Sequence, residues 1–120
     1  MGEGFGKRIK RLRLEHKLGL RHTAARVGMS PTFLSRVENE EERSPPSEEK
    51  IRALARLLGD DFDTLMSLAG RIPEDVEKVI TGDPTMPEFL RAVRKRRTSG
   101  EQLLQMLERR TGRPEKKGED

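Results

Sequence analysis

The chain of 120 residues has no cysteine, tryptophan or tyrosine, and only four phenylalanines. Without cysteine there is no disulfide framework and no thiolate metal site. Histidine is almost as scarce. His16 and His22 lie in basic surroundings with no carboxylate cluster nearby, so both read as polar surface residues, and neither a metal nor a cofactor is expected. No apolar run approaches the length of a membrane span or a secretory leader, which points to a cytoplasmic protein with no membrane partner. A glycine-rich phosphate loop, a zinc-hydrolase motif and a nucleophile paired with a base are all missing. Glu40, Glu41 and Glu42 have no apolar pocket around them to raise a carboxyl pKa. Enzyme activity is therefore not expected.

Apolar residues make up 32% of the chain and charged residues 38%, which is thin for one core spanning the whole length. The apolar residues that are present, mostly Leu, Ile, Val, Ala and Met, recur at helical spacing, and no stretch alternates as a strand would. The fold class is all-α. Eight helices are predicted, over about 5–17, 20–27, 30–39, 48–58, 62–68, 73–80, 87–97 and 101–110. Met1 to Gly4 reads as a flexible start and 111–120, charged and poor in apolar residues, as a disordered tail.

The net charge of +4 conceals a marked asymmetry. Residues 5–36 hold nine Lys or Arg against the single acid Glu15, whereas 37–49 hold six Glu against Arg43. A one-signed basic block of this kind is an electrostatic footprint suited to phosphate.

The block coincides with the most informative stretch, Leu20 to Asn39. It reads as two short helices joined at Gly28, where φ > 0 is needed and a side chain is expected to clash. Ser30 is a good N-cap and Pro31 suits the first helical position. Ala24, Val27, Leu34 and Val37 form the apolar side. Thr32, Ser35, Arg36 and Asn39 fall on the opposite face of the second helix. A short helix fixed by one face and offering hydrogen-bonding side chains on the other is what a DNA major groove admits.

These residues, with FGKRIKRLR at 5–13 and SEEKIRALARLLG at 47–59, carry a resemblance. The run 5–70 resembles the Cro/repressor type (XRE family) of helix-turn-helix DNA-binding transcriptional regulators. The resemblance implies a five-helix lambda-repressor-like domain over 5–70 with a short helical extension over 71–110. It implies a sequence-specific regulator of double-stranded DNA, a repressor or autoregulator, with the helix 30–39 in the major groove. Thr32, Ser35 and Arg36 are the candidate base readers, Pro31 or Phe33 the candidate contact to a thymine methyl, and Asn39 a contact to base or phosphate. Ser30, Arg21 and Arg43 are candidate backbone contacts. The family often has Ser and Gln where this chain has Gly19 and Leu20, and Leu20 cannot make the polar contact, which shifts that role to Arg21. The family also commonly pairs a Glu at the place of Glu38 with an Arg near the end of the first helix. Arg13 is the matching residue, so a partly buried Arg13–Glu38 ion pair is expected as scaffold.

Beyond Gly70 the amphipathic helices exceed what a small repressor-like core can cover. They either complete the monomer or cover a second subunit, as in a homodimer on a pseudo-palindromic operator. An alternative is a protein-partner-binding module, antitoxin-like or protease-controlled, with secondary DNA binding. The basic run from Arg91 to Arg97 suits flanking phosphate, an acidic partner, or simply a solvated helix end.

Overall fold

The computed structural model describes residues 2–111, and among these all regular structure is helical. Eight helices follow one another: α1 (Phe5–Glu15), α2 (Leu20–Val27), α3 (Pro31–Glu38), α4 (Glu48–Leu58), α5 (Phe62–Leu68), α6 (Glu74–Thr81), α7 (Met86–Lys95) and α8 (Gly100–Thr111). Of the tail expected to be disordered, 112–120 lies outside the described residues, and Thr111 closes α8.

Local chemistry sets most of the helix starts. Ser30 Oγ accepts the backbone N–H of Phe33 at 3.0 Å, Ser47 Oγ that of Lys50 at 3.3 Å, and Asp61 Oδ2 that of Thr64 at 2.8 Å. Ser99 and Gln102 form a reciprocal capping box at α8, with bonds of 2.9 and 3.1 Å. Three helices stop two residues short of the sequence expectation, for one shared reason. Lys17, Glu40 and Arg97 turn into the left-handed region, with φ of 56°, 57° and 55°. Each lets the next residue bond back across the last turn, as Leu18 N–H does to the Arg13 carbonyl at 3.0 Å. Charged residues do here what glycine usually does, so the sequence gives no warning.

The chain divides into two units, one ending at Val76 and the other beginning at Glu77. In the first, α1 packs on α3 and α4, α2 packs on the same two helices, and α5 packs on α4. Ile9, Leu34, Ile51, Leu54 and Leu65 are wholly buried at the centre. Each such side chain contributes roughly 1.5–3 kcal/mol through its removal from water. The segment after α5 is tied back onto this unit. Arg71 donates to the carbonyls of Pro46 and Pro45 at 2.6 and 3.0 Å, and Glu48 Oε1 accepts the N–H of Glu74 at 2.9 Å. The start of the chain is also held rather than flexible, because Glu3 receives three hydrogen bonds from Arg11 at 2.6–3.0 Å.

In the second unit none of the described side chains over 77–110 is buried. Among the described residues no helix is long and apolar enough to cross a membrane.

Candidate nucleic-acid interface

The geometry of the interface begins at Gly28, which ends α2 with φ 76° and ψ 33°. The space around it is open, with nothing within 4 Å of where a Cβ would stand. The expected clash is therefore absent, and the left-handed backbone alone selects glycine. The turn sends the chain directly into α3.

One side of α3 is locked inward. Leu34 and Val37 enter the core, and Glu38 is 4% exposed. Glu38 accepts two hydrogen bonds from Arg13, at 2.7 and 2.9 Å, forming the buried pair that the resemblance implied. These bonds hold the Arg13 guanidinium well above its ordinary pKa, against the opposing effect of burial. Arg13 also donates to the Leu18 carbonyl at 2.9 Å, so one guanidinium fixes α3 and the α1–α2 turn together. Gly6, buried in α1, lets this helix approach the end of α3. A Cβ there would run into the Val37 carbonyl oxygen.

The other side of α3 faces outward. Ser30, Pro31, Thr32, Arg36 and Asn39 are exposed and Ser35 is half-buried. Phe33 is half-buried and leans on the core, which leaves only part of its ring outward. Asn39 sits at the C-cap of α3. The Arg36 side chain is 60% exposed and only loosely drawn towards Glu42, at 3.9 Å. Arg21 is exposed in the first turn of α2. Arg43 stands apart from these, lining a cleft of about 250 Å³ with Phe5, Glu40, Pro45 and Leu68.

The basic block of 5–36 is less open than its composition implies. Arg8 makes a bidentate pair with Asp60 at 2.7 and 2.8 Å, Arg11 is shared between Glu3 and Glu15, and Arg13 is buried. The Arg8 bonds hold the Asp60 carboxyl below the usual carboxylate range, and those of Arg11 do the same for Glu3. Lys7, Lys10, Lys17, Arg21 and Arg26 are exposed and pair with no carboxylate among the described residues. They are the cations left available to phosphate. His16, read as a plain surface residue, bonds through Nε2 to the Leu58 carbonyl at 2.6 Å and so ties the end of α1 to the end of α4. Among the described residues no cluster of His, Asp or Glu is placed to hold a metal ion.

Residues 5–67 match the family described as "Helix-turn-helix domain". The chain belongs to this family. The Cro/repressor-type resemblance of 5–70 is in agreement, and the helix-turn-helix family is not an enzyme family. Two curated relatives come from Bacillus subtilis (strain 168). The uncharacterized HTH-type transcriptional regulator RghRB is 31% identical over 88 residues, covering 71% of this chain and 63% of the relative. The HTH-type transcriptional repressor RghR is 38% identical over 72 residues, covering 60% of this chain and 53% of the relative. The chain thus spans less than two thirds of either relative's length. A solved chain from a SinR protein/SinI protein complex aligns with 89% of this chain and 94% of its own length, at 23% identity and a TM-score of 0.47.

Sequence reasoning missed the helix-turn-helix supports formed by Gly6, Arg8–Asp60, Glu3–Arg11 and His16. Only the i,i+4 spacing of Arg11 and Glu15 was a local signal. Arg8 and Asp60 lie 52 residues apart, and nothing in the sequence links them.

Proposed function

We propose that this protein is a sequence-specific, double-stranded DNA-binding transcriptional regulator, a repressor or autoregulator working in the cytoplasm, which inserts α3 into the major groove. The observation that carries this reading is the split of α3 into a face locked by Leu34, Val37 and the Arg13–Glu38 pair and an exposed face with Thr32, Arg36 and Asn39. Thr32, Ser35 and Arg36 read base edges. Pro31 and the outward part of Phe33 meet a thymine methyl, and Asn39 reaches base or phosphate. Arg21, Ser30 and Arg43 position the phosphate backbone. Selection of bound duplexes from a random pool tests this. A palindromic motif is expected, and recovery of no motif would sink the reading. Arg36→Ala should reduce the preference for the selected duplex over random DNA by about 1–3 kcal/mol.

The recognition domain is assigned to 5–70, and the extension 71–110 to dimerisation, so that two copies of α3 meet the two halves of a pseudo-palindrome. A second reading makes the extension a protein-partner site, with DNA binding secondary. Both are favoured by the same observation: Val79, Phe89, Leu104 and Met106 are large apolar residues left 46–61% exposed. Light scattering of the pure protein separates them, since dimers are expected on the first reading and monomers on the second.

A further inference from the structure

The two units treat their arginines differently. In the first, Arg8, Arg11, Arg13 and Arg52 pair with carboxylates within 3.1 Å, and Arg71 bonds to backbone carbonyls. In the second, Arg91, Arg94, Arg96, Arg97, Arg109 and Arg110 pair with no carboxylate among the described residues, although Glu88, Glu101 and Glu108 lie on the same helices. Three of these arginines do not simply fan out into water. Arg96, Arg97 and Arg109 line one cleft of about 320 Å³ where α7 turns into α8.

The remaining walls suit the same kind of ligand. Thr98, Gln102 and Gln105 add a hydroxyl and two amides, Met106 is the apolar side, and no carboxylate lines the cleft. The carbonyl oxygen of the Gln102 amide is already engaged by the Ser99 N–H at 2.9 Å, which leaves its NH₂ as a donor. At the corner, Arg97 has φ 55°. Glycine would close that turn with less strain, whereas arginine keeps a guanidinium at the rim. The result is a donor-rich, acceptor-poor cleft, and planar guanidiniums match phosphate oxygens two bonds at a time.

We propose that the α7–α8 cleft is a second binding site for the phosphodiester backbone of duplex DNA. It adds sequence-independent contacts to those made by the helix-turn-helix, and the inference rests on the DNA-binding reading above. A duplex is favoured over an acidic protein because the donor set is nearly free of apolar surface. It is also favoured because the cleft shares a chain with a recognition helix, so that once α3 is seated, backbone contact becomes an intramolecular step at high effective concentration.

The test uses the full chain and a fluorescent duplex of random sequence, titrated across a salt series. Wild type is compared with Arg96→Gln/Arg109→Gln and with the charge-keeping Arg96→Lys/Arg109→Lys, after circular dichroism shows equal helix content. Removing two phosphate contacts should make the slope of log affinity against log salt shallower by about 1.8, while the lysine variant retains the wild-type slope. An unchanged slope in the glutamine variant overturns the proposal. So does loss of binding to an acidic peptide in that variant while its duplex binding matches wild type, since the cleft would then be a protein site. If wild type binds and only Arg21→Ala and Arg36→Ala change the behaviour, the cleft alone is wrong and the proposed function stands. If wild type binds no duplex at any salt, both fall.

Discussion

The first unit has an interior and the second does not. α1 to α5 are mostly short, yet Ile9, Leu34, Ile51, Leu54 and Leu65 leave no surface exposed. The helices after Val76 are of similar length and equally two-sided, yet Phe89 remains 46% exposed and Leu104 61%. Periodicity reveals which face of a helix will be covered but not what covers it. In the first unit the cover is within the same chain and is fixed by specific devices: the Arg13–Glu38 pair, the glycine at position 6 and the left-handed turn at Gly28.

The largest effect expected from breaking this contrast is Glu38→Ala. It strands a buried guanidinium and should cost about 3–5 kcal/mol, read as a fall in the urea midpoint. Next comes a matched pair of truncations. Leu54→Ala should cost about 2–5 kcal/mol. Leu104→Ala, in dilute solution, should stay within about 0.5 kcal/mol of wild type. Equal losses in the two variants would show that the second unit has a core after all.

A smaller change should run the other way. The Thr23 hydroxyl is fully buried, with no hydrogen-bond partner among the described residues. Thr23→Val keeps the shape and removes the unmet group, so it should raise stability by about 1 kcal/mol, measured by thermal unfolding.

The least disruptive test is one of pH. Arg8 lowers the Asp60 carboxyl from its ordinary 3.8, so ionised Asp60 favours the folded state. That contribution is fully present above the unfolded pKa and is lost as pH falls through the depressed folded value. Stability measured down the acid limb should therefore fall more steeply for wild type than for Asp60→Asn, and the gap between them should close in strong acid. A constant gap would show that the pair's charge is not what matters.

The five helices of 5–70 were legible in the sequence because their signals are local. Ser30 and Ser47 cap, Gly28 and Gly59 turn, and apolar residues recur every three or four positions. The exposed face of α3 was legible for the same reason, since burying Leu34 and Val37 fixes what lies opposite. What escaped the sequence depends on distant parts of the chain meeting. Gly6 matters only because Val37 arrives beside it, Arg8 is removed from the basic block only by Asp60, and His16 finds its acceptor at Leu58. The early ends of α1, α3 and α7 escaped for another reason, since Lys17, Glu40 and Arg97 adopt a conformation their side chains disfavour.

The ties made by Arg71 and Glu48 bear on how such a protein changes over time. Arg71 holds the carbonyls of Pro45 and Pro46, and Glu48 holds the first N–H of α6, so the DNA-recognition unit finishes its own bonding several residues after its last core helix. A cut at Gly70 would discard a guanidinium and leave two proline carbonyls and a carboxylate without their partners. A cut after Val76 would keep every one of these bonds. The natural seam for exchanging one C-terminal extension for another therefore lies near 76. An ancestor could acquire a new assembly or signalling partner at that seam while its grip on the operator stayed the same.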